Sequence, residues 1–195
     1  MAPPRLARGK KGAQRSGRII AFLDETGHTF RARLGTTWAP CGETPILTRV
    51  SRRREISSVV LLTAPLAGRA AELHARHFAG TIHAAELITS LRYFRRILGA
   101  PLWLVWDRLN VHRSPRVQAF LARHAEDFAC TALPSYAPEL NPEEQCNQWV
   151  KHDMLHALPA SIDELLATVR GRLRRLQHYP DRLANFFAHA GPRVN

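Results

Sequence analysis

Leu102-Trp103-Leu104-Val105-Trp106 is an unbroken apolar run, opened by Pro101 and closed by Asp107. A strand of this composition has no polar side to show water, so it reads as a central strand of a sheet covered by helices on both faces. That places the chain in the α/β class and sets Asp107 at the carboxyl end of a core strand, the edge where open α/β sheets bind ligands. Taken alone, Asp107 reads equally well as the start of a turn or a cap for the helix after Ser114. Partners elsewhere in the chain have to decide.

A second strand with the same ending lies far upstream. Arg18-Ile19-Ile20-Ala21-Phe22-Leu23-Asp24 is apolar and β-branched, and Asp24-Glu25-Thr26-Gly27 reads as the turn that stops it. Residues 1–17 are a basic arm or linker, since six basic and no acidic side chains occur through Arg18. His28 to Thr48 reads as a strand and an irregular loop around Trp38-Ala39-Pro40-Cys41-Gly42. Strands over Ile46–Val50 and Ile56–Thr63 flank a basic turn, Arg52-Arg53-Arg54, which is a candidate phosphate contact or a charged hairpin tip.

Glu72 to Phe78 is a weaker strand signal. From Ala84 the period changes: Leu87, Leu91, Phe94 and Leu98 form one stripe, and Gly99 before Pro101 ends the helix. Pro115 to His124 is a helix with Val117, Phe120 and Leu121 on one face, and Phe128 to Leu133 is a further strand. Pro134, Pro138 and Pro142 then force an extended loop. Asn141-Pro142 reads as N-cap and first helical residue, which puts Glu144 at the third position. Asn141 and Glu144 could simply form a capping box. From about residue 161 the chain reads as helical, with a basic helix over Ile162–Leu176 and a shorter one over Arg182–His189.

Composition narrows the function. The 195 residues are one domain's worth of chain, with a formal net charge of +12, nearly all of the positive charge arginine. Such a surplus suits a polyanionic partner, nucleic acid first. Three scattered cysteines give no disulfide framework and point to a reducing cytoplasm, and no apolar segment is long enough for a membrane span. Cys146, His152 and His156 lack the fourth ligand a structural zinc requires. If the two early strands are neighbours, Asp24 and Asp107 meet and repel, and a divalent cation would offset that repulsion.

The blocks LDETG at Asp24, WDRLNVHRS at Asp107 and YAPELNPEEQCNQWV at Glu144 resemble the three signatures of DDE-type transposases, in the bacterial insertion-sequence branch of the mariner superfamily. The spacings fit, with 82 residues between the first two acids and 36 between the last two. The resemblance covers roughly residues 18 to 180 and implies a ribonuclease-H-like mixed five-stranded sheet flanked by helices, spanning 18–195. It implies that Asp24, Asp107 and Glu144 hold two Mg2+ or Mn2+ ions, Asp24 and Asp107 sharing one and Glu144 completing the second. It further implies hydrolysis at transposon ends, then attack of the freed 3′-hydroxyl on target DNA without a covalent intermediate. Expected partners are double-stranded DNA, a second copy of the chain on that DNA and a separately encoded helix-turn-helix unit, all in a bacterial cytoplasm and on the nucleoid when DNA is bound. Arg108 stands where the family commonly has Asn; it, Asn110 and His112 are candidate phosphate contacts. The other readings are a nuclease without strand transfer and a silent DNA-binding remnant. Among the neighbouring acids, Glu25 alternates away from Asp24, and Glu143 lies about 100° around the helix from Glu144.

Overall fold

A computed structural model describes residues 16–30, 38–43, 55–66, 68–134, 137–154, 157 and 159–190. It holds strands β1 (Ile19–Thr29), β2 (Glu55–Thr63), β3 (Leu73–Ala79), β4 (Leu102–Trp106) and β5 (Phe128–Ala132). The helices are α1 (Ala84–Leu98), α2 (Pro115–Arg123), α3 (Pro142–Asp153), α4 (Ile162–Gln177) and α5 (Pro180–His189), with a 3-10 turn at Pro138–Leu140. The strands form one sheet in the order β3-β2-β1-β4-β5. β1, β2 and β3 are antiparallel, whereas β4 and β5 run parallel to β1. This is the mixed, helix-flanked α/β sheet expected, and β4 is its buried parallel strand.

Alternation sorts the core into two layers. Ile19, Ala21 and Leu23 of β1 and Leu102, Leu104 and Trp106 of β4 face α1 and α2, where the stripe Leu87, Leu91, Phe94 and Leu98 is buried as read. Ile20, Phe22 and Val105 face α3, α4 and α5, packing with Cys146, Val150, Leu165, Val169 and Leu173. Burying each such Leu or Phe contributes about 1.5–3 kcal/mol, so both helical layers are held on hydrophobic grounds.

Local signals place the helix ends. Gly99 takes a left-handed φ of 68°, which stops α1. Ser114 caps α2, its hydroxyl accepting from the Val117 amide. Asn141 caps α3 with Pro142 in the first turn, and Ser161 caps α4.

One expectation is overturned. Asp24-Glu25-Thr26-Gly27 is no turn, because β1 continues to Thr29 with Glu25 opposite Val59 and Gly27 opposite Ser57. Pairing with β2 supplies ladder partners that override the local turn propensity. The strand Ile46–Val50 and the turn Arg52–Arg54 lie outside the described residues. Among those described, no helix is long and apolar enough to cross a membrane.

Candidate active site

β1 and β4 are parallel neighbours with Phe22 opposite Val105. Continuing that register two positions, just past the end of β4, sets Asp107 opposite Asp24. By alternation both acids share the face of Phe22 and Val105, the face that α3 covers. The ligand edge is therefore made by β4 stopping, while β1 runs on beneath it.

Asp24 is mostly enclosed. Its Oδ1 accepts from the Glu25 amide at 2.8 Å and its Oδ2 from Asn141 Nδ2 at 3.1 Å. Burial, with the nearby charges of Glu25 and Asp107, pushes its pKa up to about 6, against hydrogen bonds from Glu143 and the Glu25 amide. Asn141 thus works at both ends: its Oδ1 accepts from the Glu143 amide at 3.2 Å to cap α3, and its NH2 holds Asp24. The cap is made through Glu143, not by the reciprocal Asn141–Glu144 box that the sequence left open.

Glu143 is wholly buried, and its Oε2 accepts from Asn147 Nδ2 at 2.7 Å. Burial, then the charge of Asp24, drives its pKa well above the carboxylate range. Its Oε1 has no donor. Asp24 is the carboxylate beside it, and through that closeness Asp24 raises the pKa of Glu143 while Glu143 lowers that of Asp24. Glu144, one step around the helix, is half-buried in the same first turn.

Asp107 is 43 % exposed, and its Oδ1 accepts from the Leu109 amide at 3.0 Å and from His112 Nδ1 at 3.1 Å. Burial raises its pKa, but the bonds from His112 and Leu109 outweigh this and hold it below the usual range. His112 is buried, its ring stacked on Trp106 at 4.3 Å and 9°. Its Nε2 lies 2.9 Å from Glu25 Oε1. Burial alone would lower its pKa, yet the bonds to Asp107 and Glu25 push it up to about 10. Asp107 does start a turn, as one reading had it, while Ser114 does the capping.

Arg108 and Asn110 are exposed in the loop after Asp107. Asn110, Leu109 and Glu25 share a cleft of about 300 Å³ with Ile82 and Thr81. Arg52, Arg53 and Arg54 lie outside the described residues. The sequence reading gave no role to Asn141 beyond the cap and none to Glu25. Alternation places Glu25 on the α1–α2 side, and that was the available clue to its histidine partner.

Asp24, Asp107 and Glu144 offer only carboxylate oxygens, the donor set of Mg2+ and Mn2+. The pKa of Asp24 is raised first by burial and then by the charges of Glu25 and Asp107, and a cation would relieve that repulsion, so the residues fit a divalent ion. They are not drawn into one tight cage. Among the described residues, three ligand atoms come within 4.8 Å of one another only at His124, Glu126 and Asp127, where Asp127 Oδ1 accepts from Arg95 Nε at 2.6 Å.

The same fold appears in solved structures. The Mos1 transposase paired-end complex with left transposon end is similar at a TM-score of 0.61 and 15 % identity, over 97 % of this chain and 61 % of that one. The catalytic domain of Mos1 mariner transposase gives 0.57 and 14 % over 97 % and 91 %. A simian T-cell lymphotropic virus intasome chain gives 0.56 and 15 % over 90 % and 55 %. This chain therefore spans about three-fifths of the first of these. No curated protein matches in sequence. The model of the DDE superfamily endonucleases matches residues 19–166, a span that holds Asp24, Asp107 and Glu144. With three-quarters of its length inside that match, the chain belongs to the DDE superfamily endonuclease family.

Proposed function

We propose that the chain is the catalytic domain of a transposase that cuts phosphodiesters at transposon ends and joins the freed 3′-hydroxyl to target DNA, using divalent metal. The observation that carries this is the convergence of Asp24 and Asp107 on one face, under the first turn of the helix that bears Glu144. Asp24 and Asp107 would share one ion, and Glu144, half-buried where Glu143 is wholly buried, would complete a second. Mg2+ or Mn2+, when bound, supplies Lewis acidity at the phosphate and lowers the pKa of the attacking oxygen. Similar Mos1 structures are described with Mn and with Mg.

The residues do the positioning. Asn141 and the Glu25 amide fix both oxygens of Asp24, and the Leu109 amide and His112 fix one oxygen of Asp107. Arg108 and Asn110, exposed beside Asp107, and Arg52, Arg53 and Arg54 contact DNA phosphates. His112, with both ring nitrogens engaged, orients the phosphate only through Asp107. The working form is a dimer on double-stranded DNA, with a separately encoded helix-turn-helix part reading the ends, in a bacterial nucleoid.

The test uses supercoiled plasmid and a labelled duplex with a free 3′-hydroxyl, incubated with the chain and Mn2+ or Mg2+. Joined product, absent with Asp107→Asn, supports transposition. Nicking without joining leaves a nuclease. No reaction in any condition leaves a DNA-binding remnant.

A further inference from the structure

Glu25 is placed where a surface glutamate should not be. It sits inside β1, its side chain is only 9 % exposed, and alternation turns it to the opposite face from Asp24. A buried carboxylate needs partners to offset its desolvation. Its partner is His112, 87 residues on, at 2.9 Å between Oε1 and Nε2. The side chain of His112 is 2 % exposed, and the ring cannot swing. Trp106 stacks on one side of it, and Gln118 Nε2 donates to the His112 carbonyl at 2.7 Å. Its other nitrogen, Nδ1, lies 3.1 Å from both the carbonyl and Oδ1 of Asp107. Every neighbour of the two ring nitrogens is an acceptor, so both nitrogens donate.

We infer that Glu25 and His112 are positioning residues that act on the metal site through Asp107, locking Oδ1 so that Oδ2 is the oxygen presented to a cation. Both described bonds to that carboxylate fall on Oδ1. Without them Asp107, at the mouth of a loop and nearly half exposed, rotates freely. Glu25 also follows Asp24 directly, so one rigid stretch of β1 carries the first metal acid on one face and the anchor of the second on the other. The chain of contacts from Glu25 through His112 to Asp107 thereby sets the spacing of the two acids across the end of β4. Outer-shell partners of this kind are worth tens-fold in metal affinity elsewhere. The inference rests on Asp107 being a metal ligand, and its test separates the two claims.

Histidine has two amide mimics, and they discriminate. Asn at 112 reproduces the Nδ1 donor toward Asp107 and drops the bond to Glu25, while Gln reproduces the Nε2 donor toward Glu25 and drops Asp107. Mn2+ binding to the full chain is read by the loss of the free-ion electron paramagnetic resonance signal, with thermal unfolding recorded for each variant. Asp107→Asn should abolish one Mn2+ site. His112→Gln should weaken Mn2+ about tenfold, and His112→Asn should recover most of that loss at equal melting temperature. Glu25→Gln, which is isosteric, should weaken Mn2+ severalfold in the native chain and have no further effect in His112→Gln. If Asp107→Asn leaves Mn2+ binding intact, the metal-site reading falls. If it abolishes binding while His112→Gln does not weaken it, or if Glu25→Gln adds its full effect to His112→Gln, the positioning role is overturned and the metal site stands.

Discussion

Adjacent glutamates at 143 and 144 have opposite fates because a helix turns about 100° per residue. Glu143 is sealed under α3 beside Asp24, where Asn147 holds one oxygen, while Glu144 keeps access to solvent. Glu143→Gln keeps the shape and sets an amide beside Asp24, so plasmid nicking with Mn2+ should stay within severalfold of the native rate. Glu144→Gln removes a proposed ligand and should cost on the order of a hundredfold or more. The reverse ranking would move the third ligand to Glu143. His77 makes a separate prediction. Its Nδ1 lies 2.8 Å from the Ser58 hydroxyl, and burial, with the charges of Arg170 and Arg76, pushes its pKa down from 6.5 to about 4. The unfolded chain therefore binds a proton that the folded chain refuses. Stability from this group is complete above pH 6.5 and drains away as pH falls toward 4. Between pH 7.5 and 4.5 the native chain should lose about 2 kcal/mol more than His77→Gln, after discounting for partial exposure, in urea unfolding curves. Equal losses would mean that His77 titrates normally in the fold.

The first turn of α3 links stability to the site through one side chain, since Asn141 caps the helix and also holds Asp24. Asn141→Ala removes both functions and should cost about 1 kcal/mol of stability along with activity. Asn141→Ser keeps a cap oxygen but cannot reach Asp24, so it should unfold near the native denaturant midpoint and still nick DNA more slowly. If the serine variant is fully active, the bond to Asp24 is not used. The same helix shows what sequence makes visible. Its start at Asn141-Pro142 and the stop of α1 at Gly99 are written in adjacent residues, because caps are local chemistry. β1 was cut short for the converse reason: Asp24 to Gly27 has turn composition, and only the distant β2 ladder keeps it extended. Asp24, Asp107 and Glu144 stood out as blocks with a known spacing, whereas the pairing of Glu25 with His112 crosses 87 positions and depends on which face each strand presents.

At the scale of the whole molecule, composition announced the charge but not where it is used. The chain carries a formal charge of +12, whereas the proposed site is built from acids, so DNA has to be drawn in by arginines other than the metal ligands. Exposed Arg170, Arg174 and Arg175 belong to α4, which lies on the α3–α5 side of the sheet, whereas Arg108 is exposed directly after Asp107. Each phosphate that such a group neutralises releases condensed counterions, so the logarithm of affinity should fall linearly with that of salt, with a slope of about −0.9 per contact. For about six contacts, duplex binding read by fluorescence anisotropy should weaken about a thousandfold between 50 and 200 mM salt. Replacing Arg52, Arg53 and Arg54 together by Ala should make the slope shallower by up to about 3 and weaken all duplex sequences alike, since phosphate contacts carry no base identity. Replacing Asp24 by Asn should leave the slope unchanged in the absence of metal while binding tightens, because it removes a repulsive charge without releasing a counterion from DNA. A slope that is flat in the native chain would show that the arginine surplus does not serve DNA binding. A slope unchanged in the triple variant would place the phosphate contacts on other arginines.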